Sequence, residues 1–186
     1  MEDKLFKPVA ASKTTLTELM IPAYSNFGGK IHGGILLSLM DKVAYACASK
    51  HAENYCVTAS IDTVDFLQPV EVGEMVYMHA SVNHVGKTSM VIGIKVVAED
   101  FKNHTVKHTN TSFFTMVSKG DDGKPLPVPG LILETKEEAR RFLEAIKRKE
   151  LKKTFNTELN NIKTNTEVES EIFKLANENC QLAWKP

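Results

Sequence analysis

The segment 35–48, ILLSLMDKVAYACA, constrains the fold more than any other, because it is almost unbroken in apolar residues. Its length predicts a helix from about Gly33 to Lys50 that is apolar on nearly every side. A helix of this kind is normally wrapped by other structure. The rest of the chain must therefore supply a surface that encloses it.

One narrow stripe of polar residues interrupts this helix. Its members follow the spacing i, i+3, i+4, i+7 and i+11, which places them on one side: Ser38, Asp41, Lys42, Tyr45 and Ser49. Asp has a low helix propensity, and burying a carboxylate requires compensation. Asp41 therefore either reaches solvent beside Lys42 and Ser38 or has a functional role.

Between Tyr55 and Val117 the sequence has a period of two, which is typical of strands. Four segments rich in β-branched and aromatic residues follow one another: CVTASIDTVDFLQPV, EMVYMHASVNHV, TSMVIGIKVVAED and HTVKHTNTSFFTMV. In the first, Val57 and Ile61 share a face that Val64 does not, which predicts a bulge or a change in the covered face. The other three predict an antiparallel meander.

A further strand is predicted in TTLTELMI, before Pro22. The element order is then a strand, a long buried helix and four strands in antiparallel succession. One antiparallel sheet of about five strands that curls around the helix buries its circumference. The predicted class is α+β and the predicted architecture is the hotdog fold, whose open edge usually pairs with a second copy.

The C-terminal region is predicted to be a helical extension. Thr135 and Glu138 have the spacing of a capping box, and the basic end of the helix, KRKELKK, complements the helix dipole. Residues 154–186 are rich in Asn, Thr and Glu and are predicted to form a flexible stretch followed by a short helix. The chain is therefore divided into a domain of residues 1–133 and a C-terminal helix and tail of residues 134–186.

The composition argues against several function classes. Lys plus Arg and Asp plus Glu both number 23, so the overall charge indicates neither nucleic acid nor a membrane surface as a partner. No apolar run reaches the roughly 18–20 residues of a spanning helix, and the N-terminal MEDKLFKPVAASK lacks the apolar core of a signal peptide. Cys47, Cys56 and Cys180 have no metal or redox spacing, which predicts a reduced cytoplasmic protein without a metal.

The loop before the long helix, NFGGKIHGG, holds four of the ten glycines. Gly33 and Gly34 open the helix, where unpaired N–H groups point outward at the positive end of the dipole. Without a Cβ they let a carbonyl oxygen approach closely, as an oxyanion hole requires. The same glycines also suit a tight turn and close packing of the helix on the sheet.

Further candidates lie near these glycines. A partly buried carboxylate beside a cleft is a good general base, which is the functional interpretation of Asp41. Asn26 has the groups to orient a water or a substrate carbonyl, although Asn in such a loop is commonly a turn residue. His32 is an acid–base candidate by its chemistry, but a histidine just before a helix is often structural.

The hairpin segment HVGKTSM offers a second kind of site. Lys87 and the hydroxyls of Thr88 and Ser89 are suited to a phosphate, although hairpin tips also carry such residues for solubility.

Four stretches together resemble the acyl-CoA thioesterases of the hotdog fold, of the cytosolic acyl-CoA hydrolase type. They are SNFGGKIHGGILLSLMD, VDFLQPVEVGEMV, VGKTSMVIGIKV and TSFFTMVSKGDDGKPLPVP, in the family's order over roughly residues 10–135. The resemblance implies hydrolysis of a fatty or short-chain acyl-CoA to CoA and a free acid, without a cofactor. Residues 134–186 lie outside it.

The resemblance also implies roles for individual residues. In this family an Asn of the loop and an Asp of the helix form a catalytic pair across a dimer interface, and these fall on Asn26 and Asp41. Gly33 and Gly34 match the glycines whose backbone polarises the thioester carbonyl.

The remaining implied contacts concern coenzyme A and the assembly. Lys87, Thr88 and Ser89 match a segment near bound CoA, and His32 is grouped with them as a substrate-binding residue. A homodimer is expected, assembled as a trimer of dimers.

Several alternatives stay open at this stage. Asp41 acts either as a general base or as a nucleophile. A hydratase for enoyl thioesters would need a paired histidine, and six positions separate Asn26 from His32. A module that binds acyl-CoA without turnover is the third possible function, beside the thioesterase and the hydratase. The acyl chain length is not specified, and the candidates for closing the acyl pocket are Met40, Tyr45, Phe66 and Phe114.

Overall fold

The computed structural model describes residues 5–184, which form seven strands and three α-helices. In chain order these are β1 (Phe6–Pro8), β2 (Thr14–Leu19), α1 (Gly33–Ala52), β3 (Cys56–Ile61), β4 (Met75–Val85), β5 (Ser89–Asp100), β6 (Thr105–Ser118), β7 (Gly130–Ile132), α2 (Lys136–Asn165) and α3 (Val168–Glu171). Short 3-10 segments occupy Val9–Ser12, Pro22–Tyr24 and Ile172–Asn177.

Five strands form one antiparallel sheet in the order β2-β4-β5-β6-β3. The long strands β4, β5 and β6 are the predicted meander, and they alternate buried and less buried residues along much of their length. The first strand of the chain, β2, pairs with β4 at one edge. The predicted five-stranded sheet with a long helix is confirmed.

Helix α1 packs its apolar face on this sheet and begins at Gly33 as predicted. Its buried side chains are Leu36, Leu39, Met40, Val43, Ala44, Cys47, Ala48 and His51. Each large apolar side chain removed from water contributes about 2 kcal/mol, so this face holds the helix in place. The burial is incomplete along the polar stripe, where Ser38, Lys42 and Tyr45 are exposed and Asp41 is half-buried.

Strand β3 is an edge strand and is much shorter than the predicted segment 56–70. Its pairing with β6 shifts register between Thr58 and Ser60, so a bulge is present, but it lies before Ile61 and not between Ile61 and Val64 as predicted. A bulge increases local twist and often ends pairing. Beyond Ile61 the chain leaves the ladder and keeps two backbone bonds to β6, from Asp62 N–H to Phe113 and from Leu67 N–H to Thr109.

The position of β3 also corrects the predicted succession of strands. It pairs with β6, the last strand of the meander, rather than with β4, which follows it in sequence. The segment between them crosses to the other side of the sheet, and its irregular backbone allows this path. One side of β3 therefore has no strand neighbour within the described residues.

A second, small sheet lies outside the sequence prediction. Strands β1 and β7 pair in parallel, with Phe6 opposite Gly130 and Pro8 opposite Ile132. Each strand has only three residues, and β7 begins at the last residue of the proline-rich segment that was predicted to form turns.

The C-terminal helix starts as predicted but is longer. Thr135 Oγ1 accepts from the Glu138 N–H at 3.1 Å, and Glu138 Oε2 accepts from the Thr135 N–H at 3.2 Å, which confirms the capping box. Helix α2 then continues to Asn165 instead of ending near Lys153. No Gly or Pro interrupts residues 136–165, so nothing in the sequence breaks the helix there.

By their internal contacts the residues form two compact units, one ending at Ala145 and the other beginning at Ile146. The proposed division at 133/134 rests on the family resemblance and stays a prediction. No helix within residues 5–184 is long and apolar enough to cross a membrane.

The capping box gives a direct test of how α2 begins. Thr135→Ala is predicted to lower the free energy of unfolding by about 1 kcal/mol, because the Glu138 N–H loses its acceptor, whereas Thr135→Ser should retain it. Denaturant unfolding at one protein concentration measures both. Thr154→Ala in the exposed interior of α2 is the matched control. Equal effects at residues 135 and 154 would contradict the cap.

Candidate active site

The centre of the candidate site is a hydrogen bond between α1 and the edge strand β3. The Thr58 hydroxyl donates to Asp41 Oδ1 at 2.5 Å. Asp41 is half-buried on the polar stripe of the helix, and Thr58 is exposed on the strand. A hydroxyl that donates to a carboxylate fixes the orientation of that carboxylate. The structure therefore holds an oriented carboxylate at the open edge of the sheet.

The sequence prediction missed Thr58. The available signal was its spacing, because Thr58 lies two residues after Cys56 and alternate residues of a strand share a face. Cys56 is buried, so Thr58 is a polar residue on a face turned toward the core and α1. Pairing it with Asp41 required knowing which face of β3 meets the helix.

A cleft of about 380 Å³ opens beside this pair. Its lining comes from α1, from residues 55–58 and from β6: Asp41, Lys42, Tyr45, Tyr55, Cys56, Val57, Thr58 and Met116. The rings of Tyr45 and Tyr55 lie 6.2 Å apart at its rim. Among the lining residues Lys42, Tyr45, Tyr55 and Thr58 are exposed, whereas Cys56 and Met116 are buried.

The cysteine in this cleft is not suited to be a nucleophile. Burial raises the pKa of the Cys56 thiol above its ordinary value, which disfavours the reactive thiolate. Burial likewise raises the pKa of Cys47 to about 12. Within residues 5–184, no three His, Cys, Asp or Glu side chains are grouped so that they could hold a metal ion. The carboxylate of Asp41 is the basic group that the cleft offers to a substrate.

The start of α1 is a second cluster of candidate residues. His32 is the N-cap, and its Nδ1 accepts from the Gly34 N–H at 2.8 Å. The imidazole packs so closely that a Cβ on residue 34 would lie 2.9 Å from it. The Gly34 N–H is therefore engaged in this conformation, whereas the Gly33 N–H makes no hydrogen bond within the described residues.

Phe66 covers Gly33 from the other side. A Cβ on Gly33 would lie 3.3 Å from two atoms of the Phe66 ring, so this ring lies close to the helix start. An N–H at a helix N-terminus is a good donor to a developing negative charge, because the helix dipole places positive charge there.

Asn26 organises the loop that precedes the helix. Its Oδ1 accepts from the backbone N–H groups of Gly28 at 2.9 Å and Lys30 at 3.2 Å. Two N–H donors fix this oxygen, so the side-chain Nδ2 points away from the loop backbone. No hydrogen bond of Nδ2 is formed within residues 5–184. The loop thus presents an exposed amide donor.

The structure does not bring Asn26 and Asp41 together within one chain. Asp41 lies eight residues beyond Gly33, which is about 12 Å along the helix axis at 1.5 Å per residue. The Asn26 loop is tied instead to the helix start and to Val70, which accepts from the Ile31 N–H at 2.9 Å. The candidate residues therefore form two clusters, one at the helix start and one around Asp41.

The hairpin tip of Lys87, Thr88 and Ser89 lies at the same end of the sheet as the cleft. Ser89 is opposite Val117 on β6, and Val117 is opposite Val57 on β3. Two strand spacings therefore separate the tip from the cleft wall, about 10 Å. The backbone of the tip is held by the N–H groups of Ser118 and Val128, and the Lys87 side chain is exposed.

A curled antiparallel sheet against one long helix, with an oriented carboxylate at the sheet edge, defines a protein of the hotdog class. The family model described as Thioesterase superfamily matches residues 28–102. Protein VdlD of Helicobacter pylori is 43% identical over 141 residues, which are 76% of this chain and 80% of that protein.

Solved structures agree with this assignment. An apo-hexameric acyl-CoA thioesterase is 38% identical, with a TM-score of 0.79 over 82% of this chain and 97% of its own. An Asn-to-Ala variant of an acyl-CoA hydrolase from Staphylococcus aureus, in complex with coenzyme A, is 30% identical with a TM-score of 0.78. That likeness covers 94% of this chain and 99% of the hydrolase. The chain belongs to the thioesterase superfamily.

The cap at the start of α1 predicts a structural role for His32. His32→Ala should lower the free energy of unfolding by about 1 kcal/mol, because the Gly34 N–H loses its acceptor. His32→Asn should recover most of this stability, since Asn also caps helices well. Urea unfolding at one fixed protein concentration measures the difference. If the two variants were equally destabilised, the side-chain cap would contribute nothing.

Proposed function

We propose that this protein hydrolyses the thioester of acyl-CoA to a free carboxylic acid and CoA, with Asp41 as the group that activates the reaction. The observation that carries the proposal is the hydrogen bond from Thr58 to Asp41 in a cleft at the sheet edge. Membership of the thioesterase superfamily and the likeness to acyl-CoA hydrolases support the substrate class. No cofactor is required, since coenzyme A is part of the substrate.

Spacing along the chain supports the choice of residues. Structures of the Staphylococcus aureus hydrolase include variants with Asn, Asp and Thr replaced by Ala. The replaced Asn and Asp are 15 positions apart and the Asp and Thr 17 positions apart. Asn26, Asp41 and Thr58 have the same separations. We therefore add Thr58 to the proposed site.

In the proposed reaction the Asp41 carboxylate takes a proton from a water as the water attacks the thioester carbonyl. The tetrahedral intermediate collapses with cleavage of the C–S bond, and the CoA thiolate receives the proton that Asp41 took from the water, which restores the carboxylate. Thr58 orients the carboxylate throughout, because its hydroxyl proton is committed to Oδ1. A thioester is already activated, so positioning and electrostatic stabilisation supply most of what the reaction needs.

Direct attack by Asp41 is the alternative route and would form a mixed anhydride. A single turnover in water labelled with heavy oxygen tests this route. Label in Asp41 would show that the carboxylate attacks, because the label reaches Asp41 only when water opens an anhydride at the enzyme carbonyl.

The oxyanion donors in this proposal come from the helix start. The Gly33 N–H is available to an oxyanion. The Gly34 N–H donates to His32 Nδ1 and becomes available only when that hydrogen bond breaks. The exposed amide of Asn26 lies on the same loop and provides a second donor for the carbonyl or the water. His32 Nδ1 accepts the capping hydrogen bond from the Gly34 N–H. This disfavours the enoyl-thioester hydratase, because hydration needs a histidine that is free to act as a base.

A homodimer would bring the two clusters together. Strand β3 has an open edge beside Thr58, and such edges commonly pair with another strand. Pairing with a second copy would cover the cleft and allow Asn26 of the partner subunit to approach Asp41. The hexameric thioesterase among the related structures is consistent with a trimer of such dimers.

Three further assignments complete the proposal. The hairpin tip with Lys87, Thr88 and Ser89 contacts CoA, because its cationic side chain is exposed near the cleft. The thioesterase domain comprises residues 1–133, and residues 134–186 are an extension. The free cysteines suit a reducing compartment, so the proposed location is the cytoplasm.

Activity assays on three variants test the site. Asp41→Asn, Thr58→Val and Asn26→Ala are each expected to lower kcat for CoA release from butyryl-CoA, by about 100-fold or more for Asp41, since the base is removed. Thr58→Ser keeps the hydroxyl and should retain most activity. Asp100→Asn, in the turn that joins β5 and β6 at the end of these strands away from the cleft, is the matched control.

Two outcomes would count against this mechanism. Full activity of Asp41→Asn would exclude the carboxylate as base or nucleophile while leaving the fold assignment intact. Binding of CoA without turnover of any acyl-CoA by the wild-type protein would indicate the non-catalytic module instead.

A further inference from the structure

Glu74 is a buried carboxylate that lies outside both clusters of the candidate site. Its exposed fraction is 5%, and its Oε1 lies 2.7 Å from the Nζ of Lys107 on β6. Lys107 is opposite Ala98 on β5, and Ala98 is opposite Val76 on β4, so the lysine side chain crosses β5 to reach the start of β4. A buried carboxylate is costly unless a cation and hydrogen-bond donors surround it. Lys107 therefore holds the Glu74 carboxylate in one orientation.

The other oxygen of this carboxylate fixes a turn. Glu74 Oε2 accepts from the Glu71 N–H at 2.8 Å, and the Glu74 N–H donates to the Glu71 carbonyl at 3.3 Å. Gly73 inside the turn has a φ of 92°, a conformation that residues with a Cβ rarely adopt. The Gly73 N–H also donates to the Met20 carbonyl at 2.7 Å, which joins the turn to the segment after β2. The side-chain support of this turn comes from Glu74.

This turn holds the loop that carries Asn26. The Ile31 N–H donates to the Val70 carbonyl at 2.9 Å, and Lys30 and Glu71 form an antiparallel β-bridge. The side chains of Lys30 and Glu71 also form an ion pair, but this pair lies at the surface, where such pairs contribute little. Pairing between the two backbones is therefore the stronger connection.

Lys30 in turn fixes Asn26 through two hydrogen bonds. The Asn26 N–H donates to the Lys30 carbonyl at 2.7 Å, and the Lys30 N–H donates to Asn26 Oδ1 at 3.2 Å. The position of the Lys30 backbone therefore sets the direction of the Asn26 amide, whose Nδ2 is the proposed donor to the carbonyl or the water. A continuous series of contacts thus connects this donor to Glu74.

We infer that Glu74, held by Lys107, is a positioning residue for Asn26. The inference rests on the proposed function, in which the Asn26 amide binds the thioester carbonyl or the attacking water. In this role Glu74 contacts no substrate and acts only through the turn and the loop. Because a displacement of about 1 Å can cost a catalytic group much of its effect, a misplaced Asn26 should lower kcat.

The experiment is a double-mutant cycle on the hydrolysis of butyryl-CoA, with Glu74→Gln and Asn26→Ala. Gln has one acceptor oxygen in place of two, so it cannot replace both contacts of Glu74. Glu74→Gln alone is expected to lower kcat by about tenfold and to change KM by less than about twofold. In the Asn26→Ala background it should change kcat by less than about twofold, because no amide is left to position.

Substitutions of Lys107 test the same connection from the other side of the ion pair. Lys107→Met removes the cation and should reproduce the loss of kcat, whereas Lys107→Arg keeps the charge and should retain most of the activity. If the Glu74→Gln protein did not fold, the cycle with Asn26→Ala is completed with Lys107→Met.

Asp100→Asn is the matched control for substitution of a carboxylate at this end of the sheet. Like Glu74, Asp100 accepts from backbone N–H groups, those of Lys102 and Asn103. No hydrogen bond of its side chain within residues 5–184 reaches the Asn26 loop. Asp100→Asn should therefore leave kcat unchanged in both backgrounds.

The outcomes distinguish this inference from the function on which it rests. If Glu74→Gln kept the wild-type kcat, or lowered kcat by the same factor with and without Asn26, Glu74 would not act through Asn26. The inference would then be wrong and the thioesterase would stand. Full activity of Asn26→Ala would refute the inference together with the role of Asn26, and a loss of activity in Asp41→Asn would still support the thioesterase. Absence of turnover by the wild-type protein would refute both.

Discussion

Burial of one face of α1 against the curled sheet is the constraint on which the rest of the structure depends. The helix is too apolar to remain in water, and its buried residues meet the inward-facing residues of β4, β5 and β6 in a single core. Because that contact fixes the rotation of the helix, it also fixes the direction of the polar stripe. The same rotation of the helix that places Val43 and Ala44 in the core leaves Asp41 half-buried at the sheet edge.

The site follows from where this geometry leaves polar groups. Within the described residues β3 is an outermost strand of the sheet, which leaves its edge open, and Thr58 places a hydroxyl beside Asp41. At the N-terminus of α1, the glycines and the His32 cap fix the backbone, and the Gly33 N–H stays available as a hydrogen-bond donor. These two clusters are separated along one helix, and a second copy of the chain is the simplest element that joins them.

The amino-acid pattern of a short segment was sufficient to predict the elements that form within that segment. The helix start at Gly33, the polar stripe and the capping box at Thr135 all follow from periodicity and hydrogen-bonding chemistry. Pairing between distant segments was not accessible, as the three-residue contact of β1 with β7 illustrates. Thr58 was missed for the same reason, since its role appears only when a strand face is placed against a helix face. The hydrogen bond from the Gly34 N–H to His32 Nδ1, which keeps this N–H from an oxyanion, likewise depends on the His32 rotamer, and the sequence does not specify that rotamer.

Complementation between two inactive variants tests the central claim most directly. Asn26→Ala and Asp41→Asn proteins are unfolded together, refolded as a mixture and assayed for CoA release from butyryl-CoA. If Asn26 and Asp41 of different subunits share a site, half of the dimers are mixed and each mixed dimer has one intact site, so activity should recover to about a quarter of the wild-type value. A mixture that stays as inactive as its components, despite a measured exchange of subunits, would contradict a site shared between subunits.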